Sequence, residues 1–131
     1  MNSHSLISVG LSDVGRKRPH NEDSFFADDD LGLYVVADGV GGHAKGEVAS
    51  AEAVEQVVLW VKGKDSQGAI VDFLADPNDD HRRVLKRVVE SGVQSACYMV
   101  FGMAEQDPER KGMSTTISAL LIAGDRAFIG Q

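Results

Sequence analysis

Cysteine is almost missing from this chain. Cys97 is the only one among 131 residues, so no intrachain disulfide can form, and a reducing cytoplasmic setting is expected. Proline is scarce as well, at three residues, and no triplet period accompanies the 14 glycines. Collagen-like and proline-rich disordered chains are thereby excluded. No stretch approaches the roughly 18 consecutive apolar residues of a membrane span. The opening MNSHSLISVG has no basic segment leading into an apolar one, so neither a membrane helix nor a secretory leader is expected. Positive charge is in deficit: 13 Lys and Arg stand against 20 Asp and Glu, for a formal net charge of −7. A broad nucleic-acid footprint is therefore not expected. The length suits one compact domain, expected to be monomeric.

What is present reads as short strands around helices. SLISVGLS (5–12) predicts a strand, and SDVGRKRPHNED carries Gly15, Pro19 and Asn21 as loop signals. SFFA, a turn at DDDLG and LYVVAD predict a hairpin. After the glycine-rich DGVGGHAKG, Val54, Val57, Val58 and Val61 recur with the period of an amphipathic helix. Residues 62–79 mix Gly, Asp, Asn and Pro around one apolar patch and predict a loop or short insertion. A second helix, capped by Asp79 or Asp80, runs through Leu85, Val88, Val89, Ala96, Met99 and Met103 and stops before Asp107-Pro108. Cys97 is expected as a small buried residue among these core positions. MSTTISALLIA, the turn Gly124-Asp125 and RAFIG predict a closing hairpin. The order β-β-β-α-α-β-β argues for an α+β fold with antiparallel sheet. An apolar strand running to the last residues leaves an uncovered edge, which native domains avoid. The chain is thus expected to be the front part of a larger unit, truncated at its C-terminus.

The first hairpin brings carboxylates together. Folding it around Asp29-Asp30-Leu31-Gly32 opposes Asp28 to Leu33, Phe26 to Val35 and Asp23 to Asp38. Directly opposed side chains have Cβ atoms about 5 Å apart, where like charges are destabilising. Glu22 adds a third negative group next door. Such carboxylates share a proton, splay into solvent or bind a cation, and Mg²⁺ and Mn²⁺ favour oxygen ligands. Gly39 lets the backbone turn sharply and offers a carbonyl. The plainer alternative, solvated strand-end groups, has equal standing on the hairpin alone, and a one-residue slip would put the two aspartates on opposite faces.

Gly39, Gly41 and Ala44 nominally match a dinucleotide fingerprint. Asp38 would repel a pyrophosphate there, and no parallel strand with a ribose-binding acid follows the helix, so the match is set aside. Arg18 precedes Asp23 by five residues in the basic loop. Its guanidinium is suited to gripping a phosphate through two parallel hydrogen bonds, whereas Arg16 and Lys17 read as solvated. His43 is either a proton donor or a solvent-facing residue of the glycine loop. His4, His20 and His81 show no ligand spacing.

SDVGRKRPHNEDS followed by LYVVADGVGGHAKGEVAS strongly resembles the metal-dependent protein serine/threonine phosphatases of the PP2C type, in their bacterial form. GMSTTISALLI and RAFIGQ resemble consecutive strands of the same fold, so the resemblance covers nearly the whole chain apart from 62–79. It implies that residues 1–131 are the N-terminal portion of a single phosphatase domain. The fold implied is a four-layer α-β-β-α sandwich, two antiparallel sheets flanked by helices, with two Mg²⁺ or Mn²⁺ ions at one end. By matching position, Asp38 would bridge both ions, the Gly39 carbonyl would bind one, and Glu22 and Asp23 would hold a metal or its waters. Arg18 would clamp the substrate phosphate. Phosphorylated proteins would be the substrates, hydrolysed by a water activated between the ions.

Two departures stand out. Ser114 occupies a position where the family usually has glycine, and the V-G-D-S-R motif and later aspartates that complete the metal site would fall after Gln131. The 131-residue chain by itself is accordingly expected to be inactive. The alternative is a non-catalytic metal- or phosphoprotein-binding module.

Overall fold

Two hairpins, distant in sequence, join into one sheet. The computed structural model describes residues 22–41 and 45–131, so the strand expected at 5–12 lies outside the described residues. β1 (Asp23–Asp28) and β2 (Leu33–Val40) form the first hairpin, and β3 (Ser114–Ala123) and β4 (Arg126–Gly130) the second. The strands lie in the order β1-β2-β3-β4, all antiparallel. Between the hairpins run α1 (Lys45–Lys62), α2 (Lys64–Ala75) and α3 (Asp79–Gln106), followed by a 3₁₀ turn at Pro108–Arg110. Fold class is mixed α and β, with this four-stranded sheet the one formed by the described residues.

Strand alternation divides the sheet into two faces. Leu33, Val35 and Ala37 of β2 and Ile117, Ala119, Leu121 and Ala123 of β3 are buried. They pack against the helical stripe of Ala49, Ala53, Val57 and Val61 on α1 and of Leu85, Val89, Val93, Ala96 and Val100 on α3. The opposite face is open and partly apolar: Val36 is 59% exposed and Ile129 61%.

Residues 62–79, expected as a loop or short insertion, are largely helical. Gly63 separates α1 from α2 with no side-chain cap, and Gly68 lowers helix propensity. Tertiary packing overrides both: Phe73, 3% exposed, meets Phe128 of β4 edge-on, with ring centroids 5.4 Å apart. The cap of α3 also differs from expectation. Asn78, not Asp79 or Asp80, accepts the hydrogen bond from the His81 amide at 2.8 Å. The two aspartates lie in the first turn, where they suit the helix dipole. Cys97 is exposed, a correction to its expected burial. It falls beside the apolar stripe of α3 rather than on it, because Ala96 and Val100 carry that stripe.

Candidate functional site

The register of the first hairpin is set by its turn. Asp28 accepts hydrogen bonds from the Leu31 amide through Oδ1 at 3.0 Å and from the Gly32 amide through its carbonyl at 2.8 Å. Gly32 has φ 72°, and a Cβ there would strike the Ile122 carbonyl, so this position needs glycine. The pairing that results opposes Asp28 to Leu33, Phe26 to Val35 and Asp23 to Asp38, as the sequence predicts.

Asp23 and Asp38 are both exposed, on the open face of the sheet. Thr116 is paired with Asp38 on its other side, and its hydroxyl donates to the Asp38 main-chain oxygen at 3.4 Å. A shallow depression of about 260 Å³ lies here, bounded by Asp23, Phe25, Val36, Asp38, Thr116 and Ser118. Thr116 is not among the residues singled out in the sequence. Extending the β2 pairing to β3 is the signal that places Thr116 beside the carboxylates.

Glu22 is placed differently from the two aspartates. Its carbonyl accepts from the Gly39 amide at 2.9 Å, continuing the hairpin ladder by one pair. Its carboxylate lies against the first turn of α1: a Cβ on Gly46 would come 2.6 Å from Glu22 Oε1 and 2.8 Å from the Gly39 carbonyl carbon. A Cβ on Gly39 would in turn strike the Gly46 carbonyl oxygen. The two glycines therefore allow β2 and α1 to meet main chain to main chain.

One more contact ties β1 to this turn. The Ser50 hydroxyl, fully buried, donates to the Glu47 carbonyl at 3.2 Å. It thereby accepts from Ser24, whose Oγ lies 2.9 Å away. Ser24 follows Asp23 directly, so the strand bearing Asp23 is fastened to α1.

The structure thus brings Asp23 and Asp38 together, with Gly39 buried behind them and Glu22 set against α1. Arg18 and His43 lie outside the described residues. Opposed carboxylate oxygens suit a hard divalent cation. Among the described residues, however, no group of three or more His, Cys, Asp or Glu converges as a metal cluster.

Comparison with known proteins gives a consistent picture. The protein phosphatase 2C family model matches residues 12–131. The serine/threonine protein phosphatase PstP of Mycobacterium tuberculosis is 34% identical over 121 residues, covering 92% of this chain and 20% of that protein. The serine/threonine phosphatase stp of Listeria welshimeri is 32% identical over 123 residues, 92% of this chain and 44% of that protein. A crystal structure of the catalytic domain of serine/threonine protein phosphatase PstP in complex with two manganese ions superposes with a TM-score of 0.62 at 33% identity, over 91% of this chain and 44% of that one. The chain spans less than half the length of these relatives.

Proposed function

The chain belongs to the protein phosphatase 2C family, and from that premise we propose that it forms the N-terminal portion of a metal-dependent phosphatase domain acting on phosphoserine and phosphothreonine proteins. The observation that carries this reading is the direct opposition of Asp23 and Asp38 on an exposed sheet face. The two manganese ions in a relative's catalytic domain support a pair of Mg²⁺ or Mn²⁺ ions. Such ions, when bound, supply Lewis acidity and a water acidic enough to act as nucleophile at neutral pH.

The chain's own residues divide the remaining work. Asp38 and the neutral Gly39 carbonyl would hold the ions, and Asp23 and Glu22 would hold an ion or the waters around it. Arg18, by the resemblance, would grip the phosphoryl oxygens with its planar fork and orient phosphorus for in-line displacement. The backbone contact between Gly39 and Gly46 and the Ser24–Ser50 hydrogen bond hold the two carboxylate strands still against α1.

The same premise extends to architecture, surroundings and assembly. The open sheet face, with Phe25, Val36 and Ile129 exposed, packs on a second antiparallel sheet, giving four α-β-β-α layers. The exposed thiol of Cys97 supports a reducing cytoplasmic setting, and the domain acts as a monomer.

One observation favours a second reading, a non-catalytic metal- or phosphoprotein-binding module: the described residues offer an opposed pair of carboxylates and no larger metal cluster. Mn²⁺-dependent phosphate release from a phosphoserine peptide separates the two. It is measured on this chain and, where the reading frame runs past Gln131, on the longer product. Turnover by the longer product that vanishes on Asp38→Ala supports the phosphatase. Mn²⁺ or phosphopeptide binding by both products without turnover supports the module.

A further inference from the structure

Far from the paired aspartates, a basic cleft runs between α3 and β4. Arg82, Arg83 and Lys86 from the first two turns of α3 and Arg126 from the start of β4 surround a depression of about 530 Å³. Ala127, Phe128 and Ile129 of β4 complete its lining. Arg126 pairs with Ala123 at one end of β3, and Asp38 pairs with Thr116 near the other. At roughly 3.3 Å per residue the cleft lies about 23 Å along the sheet from Asp38.

Two of the four cations have local partners. Arg82 pairs with Asp79 at 3.0 Å, and Arg83 pairs with Asp80. These are exposed pairs within one helical turn, the weakest class of ion pair, and each guanidinium keeps donors for a second acceptor. Among the described residues, Lys86 and Arg126 form no ion pair. This concentration of cations stands out in a chain whose net charge is −7.

We propose that this cleft docks an acidic peptide segment of a partner protein, its carboxylates on Arg82, Arg83, Lys86 and Arg126. The chain's overall charge selects this occupant over other polyanions. A nucleic acid or an anionic membrane presents charge over distances well beyond the cleft, and a chain of net charge −7 repels it overall. A short peptide feels only the charges within a screening length of about 8 Å. This inference goes beyond the phosphatase reading and needs no catalysis.

The test is fluorescence anisotropy of a labelled, unphosphorylated glutamate-rich peptide, titrated with the 131-residue chain in EDTA. The double variant Lys86→Glu/Arg126→Glu is compared with the control Lys64→Glu/Lys111→Glu, which changes two exposed lysines outside the cleft. Circular dichroism verifies that each is folded. Binding that weakens roughly tenfold in the cleft variant, and much less in the control, supports the proposal, as does retained binding in Asp38→Ala. Equal loss in both double variants, or none in either, overturns it. So does tighter, cleft-dependent binding of a single-stranded oligonucleotide or of phosphatidylserine vesicles. Because no metal or phosphate enters the assay, its outcome is independent of whether the chain takes part in dephosphorylation.

Discussion

Gly39 and Gly46 meet main chain to main chain, with the Glu22 carboxylate resting on the second of them. A methyl group at Gly46 would sit 2.6 Å from Glu22 Oε1, which has a flexible stem to retreat along, and 2.8 Å from the Gly39 carbonyl carbon, which has none. Gly46→Ala gains up to about 1 kcal/mol of helix propensity and loses about 1–3 kcal/mol to overpacking, so a net loss of stability is expected. Gly39→Ala drives its methyl into the Gly46 carbonyl and is expected to cost more. Urea denaturation ranks the two, and Gly39→Ala as the milder change would refute this account of the contact.

Opposed aspartates predict a change of sign with metal. In EDTA, Asp38→Asn removes one of two facing charges and is expected to raise stability by about 0.5 kcal/mol. With Mn²⁺ added, the unaltered chain gains stability by mass action while the variant gains little. Thermal melts with and without Mn²⁺ measure both. A variant stabilised by Mn²⁺ as strongly as the unaltered chain would show that the ion binds elsewhere.

Phe73 is the main apolar anchor of α2: Ser66 is the other buried residue of that helix, and Ala69 and Ile70 pack on the core only partly buried. Phe73→Ala is expected to cost about 3–5 kcal/mol. Loss of amide protection should be concentrated in 64–75, with β1 and β2 spared, as hydrogen exchange would reveal.

The Tyr34 hydroxyl donates to Asp29 Oδ1 at 2.7 Å, and this bond, with the neighbouring negative charges of Asp29 and Asp28, pushes its pKa from 10.0 up to about 12. The folded state therefore favours the neutral phenol. The associated stability is complete below pH 10 and is lost as pH rises through 12. Ultraviolet titration should show the transition falling back toward 10 in Asp29→Asn; an unchanged transition would assign the shift to another cause.

Much of this was legible in the sequence, and the physical reasons differ by element. The hairpin register could be read because a four-residue turn leaves few ways to pair DSFFAD with LYVVAD, and the buried Leu33, Val35 and Ala37 alternate cleanly. The valine period of α1 and the Asp107-Pro108 stop of α3 were equally plain. α2 was not, because Gly63, Gly68 and three carboxylate or hydroxyl residues mimic a loop while the contact that decides the matter, Phe73 on Phe128, joins residues 55 positions apart. Thr116 escaped notice for a related reason: its place beside Asp38 follows from a pairing between segments 78 residues apart. Cys97 misled because it neighbours Ala96 in sequence yet lies a hundred degrees around the helix from it.

The Asp29–Gly32 turn lies some five residues, about 17 Å, from the aspartates it aligns. A single residue inserted or deleted there would invert the parity of one strand and send Asp23 or Asp38 to the helix side. Loop tips usually tolerate length variation, but this one inherits the intolerance of a site it never touches. Among homologous chains that keep both aspartates, its residue count should be as invariant as the acids themselves.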